Sequence, residues 1–430
     1  MERYERYKDS GVKWIGGIPG HWGMYKLKYL FKLNKNKNIG NKCNTILSLS
    51  YGKIKIKKDL NEGLTPESYE SYQLLSTGDI VIRSTDLQND HTSLRTGLVK
   101  IEGAITSAYI GLKNLDMSLC DSRFYHYFLH DWDITKAIYN QGKGLRQSLN
   151  WDDIKNMLIP VLDISEQTAI ANYLDSTTAK IDEAIAQQQK MINLLNERKQ
   201  IIINNAVTKG LNPDAPMKDS GVDYIGLIPE HWVVRRMASL GVFSKGGGIS
   251  RDNLLEEGEP AILYGDIYTK YNYFAEDIKN HVSKKVALAS VEVHKNELLM
   301  TGSGETKEDI GKTIVFLGNK AYAGGDVIIF KQDNNNSSFL SYALNSSYAK
   351  NFRYKESKGE IVVHIYANAV RQLYLALPDI TEQNSIVEYL NNKVGIIDSE
   401  ICVVRKQISL LQERKQIIIN DVVTGKVKVS

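Results

Sequence analysis

The sequence predicts an α+β protein: two β-rich domains separated by two long helices that form an antiparallel coiled coil, the halves related by a pseudo-twofold. Three observations carry that prediction. A short block occurs twice, KDSGVKWIGGIPGHW at residues 8–22 and KDSGVDYIGLIPEHW at residues 218–232. A second block opens DISEQTAIANYLD at Asp163 and DITEQNSIVEYLN at Asp379, and both copies close on ERKQIIIN, at Asn204 and Asn420. The stretches between, roughly 23–158 and 233–376, show no comparable match. Each half is therefore a shared entry, a divergent region and a shared helix. Solenoid repeats of about 20–50 residues are excluded, because this period spans half the chain.

The helices are marked at both ends. Asp163-Ile-Ser-Glu166 follows Pro160, and Asp379-Ile-Thr-Glu382 follows Pro378; such residues cap a first turn and suit its dipole. Lys209–Gly210 and Gly425–Lys426 mark the ends. Between them steps of four and three define a seam: Leu174, Thr178, Ile181, Ile185, Gln188, Ile192, Leu195, Lys199 and Ile202. The second copy supplies Leu390, Val394, Ile397, Ile401, Val404, Ile408, Leu411, Lys415 and Ile418. About 42 residues give a helix of roughly 60 Å. The first helix reaches the second divergent region through the short Gly210–Met217 loop, so a second helix packed on it must run back. The predicted segments are a first domain at 1–160, a central helix at 161–210, a linker at 211–217, a second domain at 218–376 and a C-terminal helix at 377–430. Lys199 and Lys415 interrupt the seam inside the identical ERKQ segments. With Arg198 and Arg414 they are expected to meet a partner protein.

The divergent regions read as mixed and β-rich. Ile46–Ile56 and Gly78–Arg83 look like strands in the first, and Pro260–Lys270, Glu297–Gly302 and Asp326–Lys331 in the second. Helical patterns occur at Phe124–His130 and Phe339–Leu344. Basic or glycine-rich loops interrupt the strands at residues 83–90, 142–147, 245–251, 302–307 and 355–359. Arg, Lys, Gln, Asn and Ser are the residue types that read base edges and hold phosphates. From Met24 to Lys58 there are ten lysines (26, 28, 32, 35, 37, 42, 53, 55, 57 and 58) and no acid, a block suited to a polyanion. The overall net charge is only +4, so the distribution says more than the sum.

Other chemistry is missing. The three cysteines, Cys43, Cys120 and Cys402, are scattered, which argues against a disulfide framework and a zinc site. No P-loop is present, since Gly311-Lys-Thr313 lacks the earlier glycine, and no zinc-protease or amino-methyltransferase motif occurs. His126 and His130 lie one helical turn apart without an evident third metal ligand. His21 and His231 sit beside Trp22 and Trp232 in the repeated entry, where a framework role is expected. Glu292 with Lys295 mimics a nuclease cluster only loosely. The polar start and short aliphatic runs suggest neither a signal peptide nor a membrane span, and a cytosolic protein is expected.

Along essentially the whole chain these residues resemble the specificity subunits of type I restriction–modification systems. The resemblance rests on the K-D-S-G-V…I-G…I-P-x-H-W entries, the D-I-[S/T]-E-Q helix starts and the L-x-E-R-K-Q-x-I-I-I-N helix ends, each present twice. It implies two target recognition domains, each reading one half of a split, asymmetric DNA site. It also implies helices that set the spacer and bind two methyltransferase subunits, with an ATP-driven restriction subunit joining that core. S-adenosylmethionine, ATP and Mg would belong to those partners, and this non-catalytic chain would carry no cofactor or metal. The second region (SKGGGISRDN…PAILYGDI) resembles a glycine-led recognition domain and the first a different subtype, so the half-sites should differ. Lys26, Lys28, Lys35, Lys37 and Lys245 are expected at phosphates, and Arg83, Lys143, Arg146, Arg251, Lys307 and Lys358 near the grooves. Two other readings stay open: an adaptor displaying two protein-binding domains on a coiled coil, and a catalytic nuclease or methylase.

Overall fold

A computed structural model of the chain describes residues 2–57, 68–88, 90, 94–139 and 148–429. The chain forms two compact units, Met1–Gln189 with Lys406–Ser430, and Lys190–Arg405. The two long helices are longer than the spacing predicted, Ile164–Lys209 with 46 residues and Ile380–Val423 with 44. Each contributes residues to both units. Every predicted seam residue is buried or half-buried, whereas Ile201 and Ile417, which lie beside the seam, are exposed.

In the first unit the entry block is a hairpin, Tyr7–Asp9 against Gly17–Pro19. The Asp9 carboxylate accepts the Gly11 N–H at 2.9 Å, and Gly11 turns at φ +71°, a conformation that explains the glycine of the block. The next strand, Gly23–Lys26, pairs with Leu158–Val161, which leads into the long helix. The divergent region is thus clasped at its two ends. Inside it lies an antiparallel sheet in the order Phe31–Leu33, Ile110–Asn114, Ile80–Ile82, Thr96–Leu98. The helix Ser122–Ile134, capped by Asp121, buries Phe124, Tyr125, Phe128, Leu129 and Trp132 in the same core as Ile80, Ile110 and Leu112. Ile170, Ala171 and Leu174 of one long helix and Ile419, Val422 and Val423 of the other close that core. Further out, Lys415 donates to Asp182 at 2.6 Å. As one helix runs from 174 to 182 the other runs from 423 to 415, so within this unit the segments are antiparallel.

The second unit repeats the clasps around a different interior. Met217–Asp219 pairs with Leu227–Pro229, and Val233–Arg236 pairs with Tyr374–Leu377. Between them are two five-stranded sheets. One contains Val242–Lys245, Val327–Lys331, Leu298–Thr301, Thr313–Phe316 and Phe274–Ala275; the other is built around Glu259–Ile262 and Lys320–Ala323. The helix Ser337–Leu344 packs Phe339, Leu340, Tyr342 and Leu344 into a core shared with Ile203, Ala206 and Val207, and with Ile386, Val387, Leu390 and Val394. Lys199 donates to Asp398 at 2.6 Å, so here too the helical segments run in opposite directions.

A Glu-Gln dipeptide joins entry, divergent region and helix in both units. Glu166 accepts from Tyr4 at 2.7 Å and from the Trp22 indole at 3.2 Å, and lies 2.9 Å from His21 Nε2. Glu382 likewise takes the Trp232 indole at 3.1 Å and lies 2.7 Å from His231. The expected framework role of the two histidines takes this form. The buried Gln167 donates to the Leu119 and Leu162 carbonyls and accepts the N–H of Asp121, the capping residue of the core helix. Gln383 donates to Asn335 and to the Pro378 carbonyl and accepts the N–H of Asn336, which caps the core helix of its unit.

Two strand expectations need correction. Ile46–Ile56 is a hairpin, Leu47–Ser50 and Lys53–Ile56, because Tyr51 and Gly52 both adopt positive φ and reverse the chain. Pro260–Lys270 is a strand only to Ile262; Tyr264–Thr269 is a short helix. Asp266 accepts the Leu263 N–H at 2.9 Å, and Asn280 and Lys270 hold its carboxylate, so a cap overrides the β-propensity of the run.

Gln383→Leu should leave the Asn336 N–H and the Pro378 carbonyl unpaired and lower stability by about 2–3 kcal/mol, read by urea denaturation. A second outcome concerns pH. The stacked rings of His126 and His130, 6.0 Å apart, are half-buried, and the buried Nε2 of His126 has no hydrogen-bond partner among the described residues. Burial pushes His126 down to about 3 and His130 to about 4, the latter also facing the charge of Lys415. The unfolded chain takes up protons on these rings before the fold does. Stability should therefore fall as pH drops below about 6.5 and keep falling toward pH 4. In His126→Phe the same denaturation series should show a shallower slope.

Candidate nucleic-acid interface

In the second unit three loops converge. A cleft of about 920 Å³ lies between Ser250–Arg251 of the glycine-rich loop, Gly304–Thr306 and the short helix at Tyr264–Thr269. Arg251 and Lys270 are exposed on its wall, and Lys270 is tied to Asp266 at 3.0 Å and to Asn280. A neighbouring hollow of about 340 Å³ joins Glu305–Glu308 to Tyr354, Gly359 and Glu360, so half-buried Lys307 faces the loop that carries exposed Lys358. Lys245, at the strand end Val242–Lys245, is exposed and lies 3.8 Å from Asp326. The structure therefore brings Arg251, Lys307 and Lys358 onto adjoining surfaces. Their acidic neighbours Asp266, Glu305, Asp309 and Glu360 leave these surfaces mixed in charge rather than basic.

In the first unit the lysine block is a set of surface cations. Lys26 ends a strand and is exposed, half-buried Lys28 lies over the Tyr29 ring, and Lys35 and Lys37 are exposed on the following loop. Lys53 lies 3.9 Å from Asp182. Arg83 is half-buried and pairs with Asp90 at 3.3 Å, a contact that must break before Arg83 can bind an external group. Lys143 and Arg146, with Lys58, lie outside the described residues.

The four helix cations separate into two kinds. Lys199 and Lys415 are taken up by Asp398 and Asp182, each lysine meeting the aspartate of the other copy. Those pairs give an internal reason for lysines repeated letter for letter on an apolar seam. Arg198 and Arg414 are exposed. Ile396, Val403, Leu410 and Ile417, seven residues apart on one helix, are 52–57% exposed, and Leu194 and Ile201 are exposed on the other.

Sequence reasoning missed the residues that hold the loops. Arg95 is wholly buried, and its guanidinium donates to the carbonyls of Arg83, Thr85, Asp86 and Asp90 and to the Tyr139 hydroxyl. Its own N–H goes to Asp133 at 2.6 Å. One side chain thereby holds residues 83, 85, 86 and 90. Arg353 plays the corresponding part in the second unit: fully buried, it donates to the carbonyls of Ile310 and Leu344 at the base of the 302–310 segment. Burial lowers it to about 10, which leaves it charged at neutral pH. Gly311 permits this, since a Cβ there would fall 2.4 Å from Arg353 Cδ. Neither arginine has a neighbour pattern that marks it as internal. The Tyr264–Thr269 wall of the cleft was hidden for a different reason, its strand-like composition.

Among the described residues no group of His, Cys, Asp and Glu could hold a metal ion, and no helix is long and apolar enough to cross a membrane. No family model matches the chain.

The two units define the chain as an α+β protein that presents different β-rich contents on a duplicated frame of clasps and antiparallel helices. Its curated relatives are type I restriction enzyme specificity subunits. The chain is 22% identical to the MjaVIII specificity subunit of Methanocaldococcus jannaschii, over 98% of this chain and 97% of that one. It is 25% identical to a second subunit of that organism, provisionally named the type I restriction enzyme MjaX specificity subunit, over 98% of each. A chain from a structure describing complex assembly and conformational transition of the type I R-M system has the same fold. It superposes with a TM-score of 0.68 at 14% identity and covers 95% of this chain and 99% of its own.

Arg95→Met should strand four loop carbonyls and cost about 3 kcal/mol. Limited proteolysis should then cut first within residues 83–90, while Arg95→Lys should keep part of the protection.

Proposed function

We propose that the chain is the DNA-reading specificity subunit of a type I restriction–modification enzyme and that it performs no chemistry itself. The observation that carries this reading is a single frame, held by Glu166-Gln167 and Glu382-Gln383, that displays two dissimilar sets of loops. Two different readers suit a bipartite, asymmetric site. The full-length similarity to specificity subunits supports the same reading.

Duplex binding would begin with phosphate contacts. Lys26, Lys28, Lys35 and Lys37 supply them in the first unit and Lys245 in the second, giving affinity that is sensitive to salt and largely blind to sequence. Base reading would fall to Arg251, Lys307 and Lys358 at the convergent loops, and to Arg83 once Asp90 releases it. An arginine fork matches the two acceptors of guanine in the major groove. Exposed apolar positions and an arginine recur in each unit, Ile396 and Val403 with Arg198 in the second and Leu410 and Ile417 with Arg414 in the first, and each set would receive helices of a methyltransferase subunit, two copies of which would bring S-adenosylmethionine. The ATP-dependent restriction subunit would join that core.

The test is binding to a randomised duplex library, with and without the methyltransferase partner. Selection of a split site supports the reading, and a chain that captures no duplex even at low salt overturns it in favour of an adaptor. In the reconstituted complex Arg251→Ala should lose about 1–3 kcal/mol of discrimination at one base pair, within one half-site only.

A further inference from the structure

A hollow of about 200 Å³ in the second unit adjoins the convergent-loop cleft, with which it shares Tyr268 and Asp309, and gathers positive charge. Lys199, Lys312 and Lys350 line it with Tyr268, Asn345 and a single carboxylate, Asp309. The Lys199 charge is offset by Asp398 at 2.6 Å. Lys312 donates to the carbonyls of Tyr268 and Tyr271, at 3.3 and 2.6 Å, and so has neutral partners only. The ammonium of half-buried Lys350 makes no hydrogen bond and no ion pair among the described residues. Buried Arg353 behind it is bonded to carbonyls alone. Asp309 can therefore offset one of three cations.

The same conclusion follows from the fields the groups exert. Burial lowers both Lys312 and Lys350; the nearby Asp309 carboxylate raises both, and against it Lys350 and Lys199 lower Lys312 while Arg353 lowers Lys350. One carboxylate shared between two half-buried ammonium groups leaves room for a further anion. A hollow this small is below the size of ordinary organic ligand sites, so the missing group is compact.

We infer that the hollow bounded by Lys199, Lys312, Lys350 and Asp309 binds a phosphoryl oxyanion, supplied either by the backbone of a DNA duplex or as free phosphate. Lys350 contributes the ammonium that has no other use, and Lys312 keeps one donor after its two carbonyl bonds. The duplex source rests on the DNA-binding reading above; the free-ion source does not.

The full-length chain is melted in sodium phosphate and in sodium chloride at equal ionic strength. Phosphate should raise the melting temperature of the native protein and of Lys350→Arg, but not of Lys350→Met. In chloride Lys350→Met should melt no lower than the native chain, because it removes a charge that burial disfavours; a residue serving only packing would not behave so. Duplex affinity is then followed against salt. A slope of log affinity on log salt reduced by about 1 in Lys350→Met identifies a backbone phosphate. An unchanged slope with the phosphate response lost identifies the free ion. The inference is overturned if the native chain shows no phosphate response and the slope is unchanged, or if the response survives in Lys312→Met/Lys350→Met. A chain that binds no duplex at all removes the DNA reading while the melting series still decides the site.

Discussion

A carboxylate that receives an indole N–H and a histidine, beside an amide that caps a neighbouring helix, is the constraint on which each unit depends. Glu166 and Glu382 tie the entry hairpin to the first turn of a long helix, and Gln167 and Gln383 tie that same turn to the core helix of the divergent region. The bonds are short, partly buried and partly charge-assisted, the conditions under which hydrogen bonds fix geometry as well as stabilise it. Two adjacent side chains thereby determine how a variable interior is mounted. Because they contact the entry, the residue leading into the long helix and a few groups around one helix cap, they place few demands on the rest of what lies between the clasps. That tolerance is visible in the contrast between a four-stranded sheet in one unit and two five-stranded sheets in the other.

The loops use a different device. Arg95 and Arg353 spend their donors on carbonyls rather than on carboxylates. A planar guanidinium with five donors can organise several peptide groups at once, which no hydroxyl or amide can do. A cation committed inward also adds positive potential beneath the surface without being available to bind, and the Lys312–Lys350 hollow lies over such a charge. Rigid loops above buried cations are a suitable base for recognising an anionic polymer, because less disorder has to be removed on binding.

The duplicated parts were legible because they appear twice. Helix starts and ends, the four-three seam and the entry glycine follow from local rules, and repetition separates those signals from chance. Even so, repetition alone could not say that Lys199 and Lys415 are held by aspartates of the partner helix, since that depends on which residues face each other across a seam. The divergent regions had no such aid. Tyr264–Thr269 reads as strand by composition and is helical because Asp266 closes a cap. Arg95 looks like any exposed arginine until the chain folds around it. Of the expected contact residues, Arg251 and Lys307 line two hollows that share Glu305 and Thr306, and Lys358 precedes Gly359 on the second, whereas Arg83 is engaged with Asp90.

The two lysine–aspartate pairs on the helices have one more implication. Lys199 takes the aspartate that matches Asp182 in the other copy, and Lys415 takes Asp182 itself. A polypeptide of half the length, carrying one copy alone, would therefore already possess both members of the bond. Two such molecules could exchange them reciprocally, in the self-complementary manner of a cyclic homodimer. Duplication followed by divergence of the interiors would then turn a symmetric pair into a single molecule with two unlike faces, leaving its fastening unchanged.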